Sequence, residues 1–230
     1  TLISSLLVGW IAYFLFDRRE PQFGILYATL GFVSMALSSL HLGKPFRAYR
    51  ATINFRTSWL SREILLFMLF AGFSLIVFFI NSSILVVSVS AVLGALLLVS
   101  IEYVYAIADK KYSTPIHSAN TILTAITFGL LLTYFKTIAV GFIVLKAILY
   151  IVRYARKDIY TLSVIFSFTR FFVGCMMPIV SILLLKISTS LVIIPFIVGE
   201  LIDRFEFYNE LHVDTPYILM NTLPNKVEKL

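Results

Sequence analysis

Side chains that could handle protons lie where the second apolar stretch of the sequence ends. His41 is followed closely by Gly43 and Pro45, and both of these residues favour the end of a helix. A histidine side chain titrates near neutral pH and can both accept and donate hydrogen. The oxygens of a quinol headgroup need partners of this kind, together with a group that takes up the protons. Glu63, one turn inside the next apolar stretch, is the best candidate for that acceptor.

The composition indicates which elements must position these side chains. Hydrophobic residues make up 60% of the 230 residues and the mean hydropathy is +0.94, whereas soluble domains are about 45–50% apolar. Charged residues are 13% of the chain, against about 25% in soluble domains. Since a membrane-spanning helix needs about 20 residues, the length allows about eight spans and little else. The sequence therefore predicts an all-α polytopic membrane helix bundle.

Polar and proline-containing breaks divide the apolar stretches into about eight predicted transmembrane helices, with seven as the alternative. We expect them near 1–16, 22–41, 59–80, 84–108, 116–135, 137–155, 162–185 and 188–208. No internal repeat or soluble linker separates them. We therefore interpret residues 1–230 as a single transmembrane domain with a short polar C-terminal tail, 209–230.

Most of the positive charge falls on one side of this bundle. We call face A the side that carries the predicted loops 42–58, 109–115 and 156–161 and the C-terminal tail. The cations expected there are Lys44, Arg47, Arg50, Arg56, Arg62, Lys110, Lys111, Arg153, Arg156, Lys157, Arg204, Lys226 and Lys229, while the opposite side has only Arg18, Arg19, Lys136 and Lys186. The positive-inside rule would make face A cytoplasmic. A docking surface or a binding site for lipid phosphates would give the same pattern.

Four charged residues lie within or near the ends of apolar spans, where an unpaired charge costs about 2.5–3.5 kcal/mol at mid-helix on insertion scales. They are Glu102, Lys146, Arg170 and Glu200. Each of them should therefore have a partner. Arg170 and Glu200 fall on neighbouring helices, so we expect a structural ion pair between them, with a proton relay as the alternative.

The residues give no sign of a bound metal or haem. A haem inside a bundle needs two axial ligands at matched depth, but His41, His117 and His212 all fall at helix ends. Cys175 is the only cysteine, and neither a zinc-binding nor a phosphate-binding motif is present. We therefore expect no haem and no metal in this chain, and any iron–sulfur cluster must belong to a partner.

The segment around His41 resembles the membrane anchor subunits of dimethyl sulfoxide reductase, the DmsC family. The matching residues are His41-Leu42-Gly43, Pro45, Arg47-Ala48, Asn54 and Leu60-Ser61-Arg62-Glu63. Weaker matches follow at Tyr103-Val104-Tyr105, Arg170, Gly199-Glu200-Leu201-Ile202-Asp203-Arg204 and Phe207-Tyr208. The resemblance therefore spans nearly the whole chain.

This resemblance implies an eight-helix protein without haem in the inner membrane of a prokaryote. Such a subunit oxidises menaquinol in anaerobic respiration and passes the electrons to an iron–sulfur subunit of the four-cluster ferredoxin type. From there they reach a molybdopterin-containing catalytic subunit, so the terminal reduction is not performed by the anchor. By resemblance, His41 is the quinol-site histidine and Gly43, Arg47 and Glu63 support it. We add Tyr105, whose hydroxyl could hydrogen-bond the headgroup.

Other interpretations of the same residues stay open. Arg47, Arg50 and Arg56 could neutralise lipid phosphates, and Tyr103 and Tyr105 could be aromatic residues of the membrane interface. A secondary transporter is a second class of function, because Pro178 and Pro195 fall within predicted helices, although such proteins usually show duplicated halves. A purely structural anchor without quinol binding is a third. We expect no nucleic-acid partner.

Overall fold

A computed structural model describes residues 1–17, 23–40, 59–108, 117–155, 164–185 and 189–210. These residues form helices joined by short turns, and the described ranges contain no strand. The predicted all-α class is confirmed for this part of the chain. The interpretation of residues 1–230 as one transmembrane domain with a polar tail stays a prediction.

Eight helices account for nearly all of the described ranges. Their bounds are α1 Leu2–Phe16, α2 Gly24–Leu40, α3 Trp59–Phe79, α4 Ile84–Ala108, α5 Thr121–Leu132, α6 Lys136–Ala155, α7 164–185 and α8 Thr189–Glu210. Within α7, a helical segment Val164–Phe171 is followed by the π-helical turn Phe172–Met176, the α-helical turn Met177–Val180 and the π-helical turn Ser181–Leu185.

Three of the helices are long and apolar enough to cross a membrane, over Trp59–Phe79, Ile84–Val104 and Ile165–Leu184. Shorter apolar helices cover Leu2–Phe16, Gly24–Leu37 and Thr121–Leu132. Large apolar side chains such as Ile25, Phe32 and Leu85 are mostly exposed, as suits a surface that faces lipid rather than water. These features fit a membrane helix bundle, and eight complete spans stay a prediction.

Helix α5 is shorter than the sequence pattern suggested. It begins at Thr121 because the side chain of Asn120 accepts hydrogen bonds from the backbone N–H groups of Ile122 and Leu123. The helix ends at Leu132, and Thr133 adopts an extended backbone conformation. Twelve residues extend over about 18 Å, less than the roughly 30 Å of a hydrocarbon core.

Helix α1 lies between two apolar clusters. The first is built mainly by α1 to α4 and includes Ile11, Phe70 and Leu97. The second is built by α5 to α8 and includes Ile143 and Phe196. Since α1 packs along both α4 and α5, it joins the two halves of the described bundle.

Proline has different effects in α7 and α8. Proline lacks a backbone N–H, and its ring clashes with the preceding turn of a helix. In α7 the two π-helical turns flank Pro178, and proline and π-helical turns are both common causes of a kink in a helix. Helix α8 is continuous through Pro195. Helix α7 is therefore the irregular one of the two.

Candidate functional site

Most of the predicted quinol-site residues lie outside the described part of the chain. His41, Gly43 and Arg47 belong to the undescribed range 41–58, and the backbone of Tyr105 lies in α4 although its side chain is not described. Glu63 is the predicted site residue whose side chain the structure places. The assignment of the quinol site therefore stays a prediction.

Glu63 lies in the second turn of α3 and is half-buried. One turn earlier, the ring of Trp59 stacks on Tyr103 of α4, with centroids 4.5 Å apart and planes 8° from parallel. The guanidinium carbon of Arg62 lies 4.3 Å from the centre of the Trp59 ring. The hydroxyl of Ser100 also donates to the backbone oxygen of Trp59 at 3.2 Å. These contacts fix the start of α3 against the end of α4, and so they position Glu63.

A larger group of charges is buried between the helices of the C-terminal half. Seven charged side chains from α6, α7 and α8 are each at most 7% exposed. They are Lys146, Arg153, Arg170, Glu200, Asp203, Arg204 and Glu206. We call this group the buried charge network. Because charges at this depth are costly unless they are paired, their partners determine what the network can do.

Glu200 joins α5, α6, α7 and α8. Its carboxylate accepts hydrogen bonds from Lys146 Nζ at 2.7 Å, from Thr124 Oγ1 at 2.7 Å and from Arg170 Nη2 at 3.3 Å. The predicted ion pair between Arg170 and Glu200 is therefore confirmed. The expectation that Lys146 has a partner is confirmed as well.

Two further acids, which the sequence analysis did not single out, belong to the network. Asp203 lies 2.9 Å from Arg153 Nη1 and 3.2 Å from Arg170 Nη2, and it accepts from the hydroxyl of Ser118 at 2.7 Å. Glu206 lies 3.4 Å from Arg153 Nη2 and accepts from Tyr150 at 2.8 Å. The three-residue spacing of Glu200, Asp203 and Glu206 was the available signal, since such a spacing places side chains on one side of a helix.

Arg204 differs from the other cations of the network. Its guanidinium donates to the hydroxyl oxygens of Thr1 at 3.1 Å, Ser5 at 3.2 Å and Thr124 at 3.3 Å. Throughout the described ranges, no carboxylate lies within 4 Å of it. Its positively charged guanidinium group is thus hydrogen-bonded by neutral hydroxyl groups.

Glu102, another of the charged residues that the sequence placed in or near an apolar span, also has partners. It accepts from the backbone N–H of Thr121 at 2.6 Å, from the Thr121 hydroxyl at 2.5 Å and lies 3.1 Å from Nε2 of His117. The ring of His117 stacks on Phe207, with centroids 4.4 Å apart. Glu102 therefore closes the start of α5, where backbone N–H groups would otherwise lack acceptors.

The buried charge network extends from one end of the bundle to about its middle. Arg153 and Glu206 lie near the last turns of α6 and α8, whereas Lys146 lies at the centre of α6. Beyond Lys146, towards the start of α6, the second apolar cluster fills the interior with residues such as Leu131 and Ile143. The network therefore holds α5 to α8 together at the end that corresponds to face A.

The described residues do not bring together three or more His, Cys, Asp or Glu side chains in a way that could hold a metal ion. The cysteine in this region, Cys175, is buried and its sulfur lies 3.2 Å from Nη1 of Arg170. The expectation of no haem and no metal stays a prediction.

Comparison with known proteins gives one match. The family model of the DMSO reductase anchor subunit (DmsC) matches residues 22–198, a range that includes Glu63, Glu102, Lys146 and Arg170 and ends just before Glu200. No curated protein and no solved structure matches the chain. Since the family model covers most of the 230 residues, this membrane protein belongs to the DMSO reductase anchor subunit (DmsC) family.

Proposed function

We propose that this chain anchors a DMSO reductase-type complex in the membrane and oxidises menaquinol there. The observation that carries the proposal is the family match over residues 22–198, because that range contains the whole segment from His41 to Glu63. The apolar outer surface and the three long apolar helices support a location within the membrane. The membrane is the inner membrane of a prokaryote.

The site we assign to quinol is formed by His41, Gly43, Arg47, Glu63 and Tyr105. When menaquinol becomes menaquinone it releases two protons and two electrons. His41 and Glu63 accept the protons, since imidazole and carboxylate groups are the usual general bases. Gly43 gives the turn its shape, while Arg47 and Tyr105 hydrogen-bond the headgroup. The half-buried position of Glu63 near the start of α3 suits contact with a headgroup at the lipid boundary.

The two electrons leave through partner subunits. We infer that a four-cluster ferredoxin-like iron–sulfur subunit docks on face A and passes them to a molybdopterin-containing catalytic subunit, as in anaerobic respiration. The basic loops of face A would attract an acidic partner surface, because opposite charges speed and orient docking. This chain holds no haem and no metal in the proposal, and it does not perform the terminal reduction.

Replacing His41 with alanine in the purified complex tests the site. We expect menaquinol oxidation to fall by about a hundredfold, the contribution of a well-placed general base, while the partner subunits still co-purify. His212→Ala is the matched control, since His212 lies in the polar tail beyond the family match. Wild-type oxidation by an intact His41→Ala complex would place the quinol site elsewhere. Loss of activity in both variants would point to a general defect.

Quinol binding separates this proposal from a purely structural anchor. A fluorescent quinol analogue should be quenched by the wild-type complex and less by the His41→Ala complex. If neither complex quenches the analogue, the anchor role stands alone. Solute uptake by vesicles that contain only this chain would favour a transporter instead.

A further inference from the structure

One aromatic stack leaves a flat ring open on the surface of the bundle. Within the described ranges, two pairs of rings lie 8° from parallel, Trp59 with Tyr103 and His117 with Phe207. The second pair is enclosed, because Phe207 is 6% exposed and the His117 side chain 15%. Tyr103 is 50% exposed, as expected for a ring with one face on Trp59 and the other face uncovered. The outer face of Tyr103 can therefore take a further flat ring.

Contacts on Trp59 hold this stack in place. Its ring centroid lies 4.5 Å from that of Tyr103, and the guanidinium carbon of Arg62 lies 4.3 Å from the centre of the same Trp59 ring. Ser100, one turn before Tyr103, donates to the backbone oxygen of Trp59 at 3.2 Å. Because α3 and α4 are joined at two points here, the Tyr103 ring is already oriented in the free protein. A preoriented ring loses little freedom when a ligand binds, which favours affinity.

The stack lies beside the acid that we assign as a proton acceptor. Trp59 and Glu63 are four residues apart on α3, and residues at this spacing are neighbours on one side of a helix. Since Tyr103 packs on Trp59, the contact between α3 and α4 brings the stacked rings and Glu63 to the same region. Glu63 lies in the second turn of α3 and Tyr103 in the last two turns of α4. Both therefore lie near the end of the bundle that corresponds to face A, where we place the quinol headgroup.

We propose that the outer face of Tyr103 is a platform on which the flat ring of menaquinol stacks, beside Glu63. The inference rests on the proposed function and adds Tyr103 as a substrate-binding residue. Aromatic rings attract each other in offset stacks with centroids about 4.5–7 Å apart. In such an offset stack, the two fused rings of a naphthoquinol keep more contact with the tyrosine than the single ring of a benzoquinol does. The platform therefore favours two-ring quinols, whereas a tyrosine that only lines the membrane interface would not distinguish them.

The variants Tyr103→Leu and Tyr103→Phe in the purified complex test the platform. Displacement of a bound fluorescent quinol analogue gives the Kd of a short-chain menaquinol and of a short-chain ubiquinol. Leucine removes the ring, so Kd for menaquinol should rise about three- to tenfold, the range for one aromatic contact, and Kd for ubiquinol by less than about twofold. The kcat for menaquinol should stay near the wild-type value, because the stack contributes to binding alone. Phenylalanine keeps the ring and should keep both Kd values.

Tyr134→Leu is the matched control, since it removes an exposed tyrosine beyond the end of α5, on the side opposite face A. Wild-type Kd for menaquinol in an assembled Tyr103→Leu complex would overturn the inference. Equal losses in Tyr103→Leu and Tyr103→Phe, or equal losses for the two quinols, would overturn it as well. Should Tyr103→Leu not assemble, Tyr103→Met takes its place in the same comparison. Wild-type rates in both His41→Ala and Glu63→Gln would instead refute the proposed quinol site.

Discussion

Replacing Glu200 with glutamine should destabilise the protein strongly. Glu200 is fully buried and its carboxylate contacts Lys146 at 2.7 Å and Arg170 at 3.3 Å. Glutamine keeps the shape of the side chain and can still hydrogen-bond Thr124, so the change removes mainly the negative charge. Arg170 retains Asp203 at 3.2 Å, whereas Lys146 is left without a carboxylate in contact among the residues that the structure describes. Removing one partner of a buried ion pair costs about 3–5 kcal/mol.

The free energy of unfolding in mild detergent, measured by a reversible denaturant titration, reports this cost. Glu63→Gln is the matched control, because Glu63 is half-buried and no placed cation lies within 4 Å of it. We expect the control to change stability by less than about 1 kcal/mol. The double variant Lys146→Met/Glu200→Gln should cost less than the sum of the two single changes, since it leaves neither charge alone.

Two results would refute this reasoning about the network. One is a loss in Glu200→Gln no larger than the loss in Glu63→Gln, which would mean that water or another group replaces the carboxylate. The other is strict additivity of Lys146→Met and Glu200→Gln, which would mean that the contact at 2.7 Å contributes no coupling energy. Either result would show that the contact between Lys146 and Glu200 does not stabilise the packing of α6 against α8.

Two further predictions concern helix contacts and helix ends. A Cβ on Gly174 would lie 2.5 Å from the Cα of Gly199, so Gly174→Ala should destabilise the protein by about 1–3 kcal/mol. Gly141→Ala is the control, because there is open space around Gly141 and the change should not destabilise the protein. Equal melting temperatures of the two variants would contradict the close packing of α7 on α8. Asn120→Ala removes a side chain that caps α5 and should cost about 1 kcal/mol. Asn81→Ala in the exposed turn before α4 is its control, and equal losses of stability would count against the cap.

The positions of the long apolar helices follow from the sequence because their signal is composition over many residues. Helix α4 occupies Ile84–Ala108, where the apolar stretch predicted it. The start of helix α5, in contrast, does not follow from composition. An apolar scan includes residues 116–120, but Asn120 and Glu102 bind the first N–H groups of the helix and so fix its start at Thr121. One of these acceptors comes from another helix, and hydropathy does not report it.

The candidate site was also predictable only in part, because some of its contacts depend on how the helices are oriented towards each other. Arg170 and Glu200 could be paired from the sequence, because an unpaired charge in lipid is costly and the two helices follow each other. Arg153 and Glu206 lie close to predicted helix ends, where charges can reach water, so the sequence does not distinguish an exposed side chain from a buried one. The rotation of α6 relative to α8 determines whether these side chains are buried, and it brings Arg153 to 3.4 Å from Glu206.

The two halves of the described bundle are joined by different kinds of contact. The first half is joined by aromatic stacking and by neutral contacts, such as the 2.8 Å hydrogen bond between the hydroxyls of Ser74 and Ser90. Neutral contacts of this kind need no counter-charge. Since Lys146, Arg153 and Arg170 are neutralised by nearby acids, their fields largely cancel at a distance. Arg204 differs, because the residues that the structure describes offer it hydroxyl groups and place no carboxylate within 4 Å of it, so its charge is the least compensated in the network.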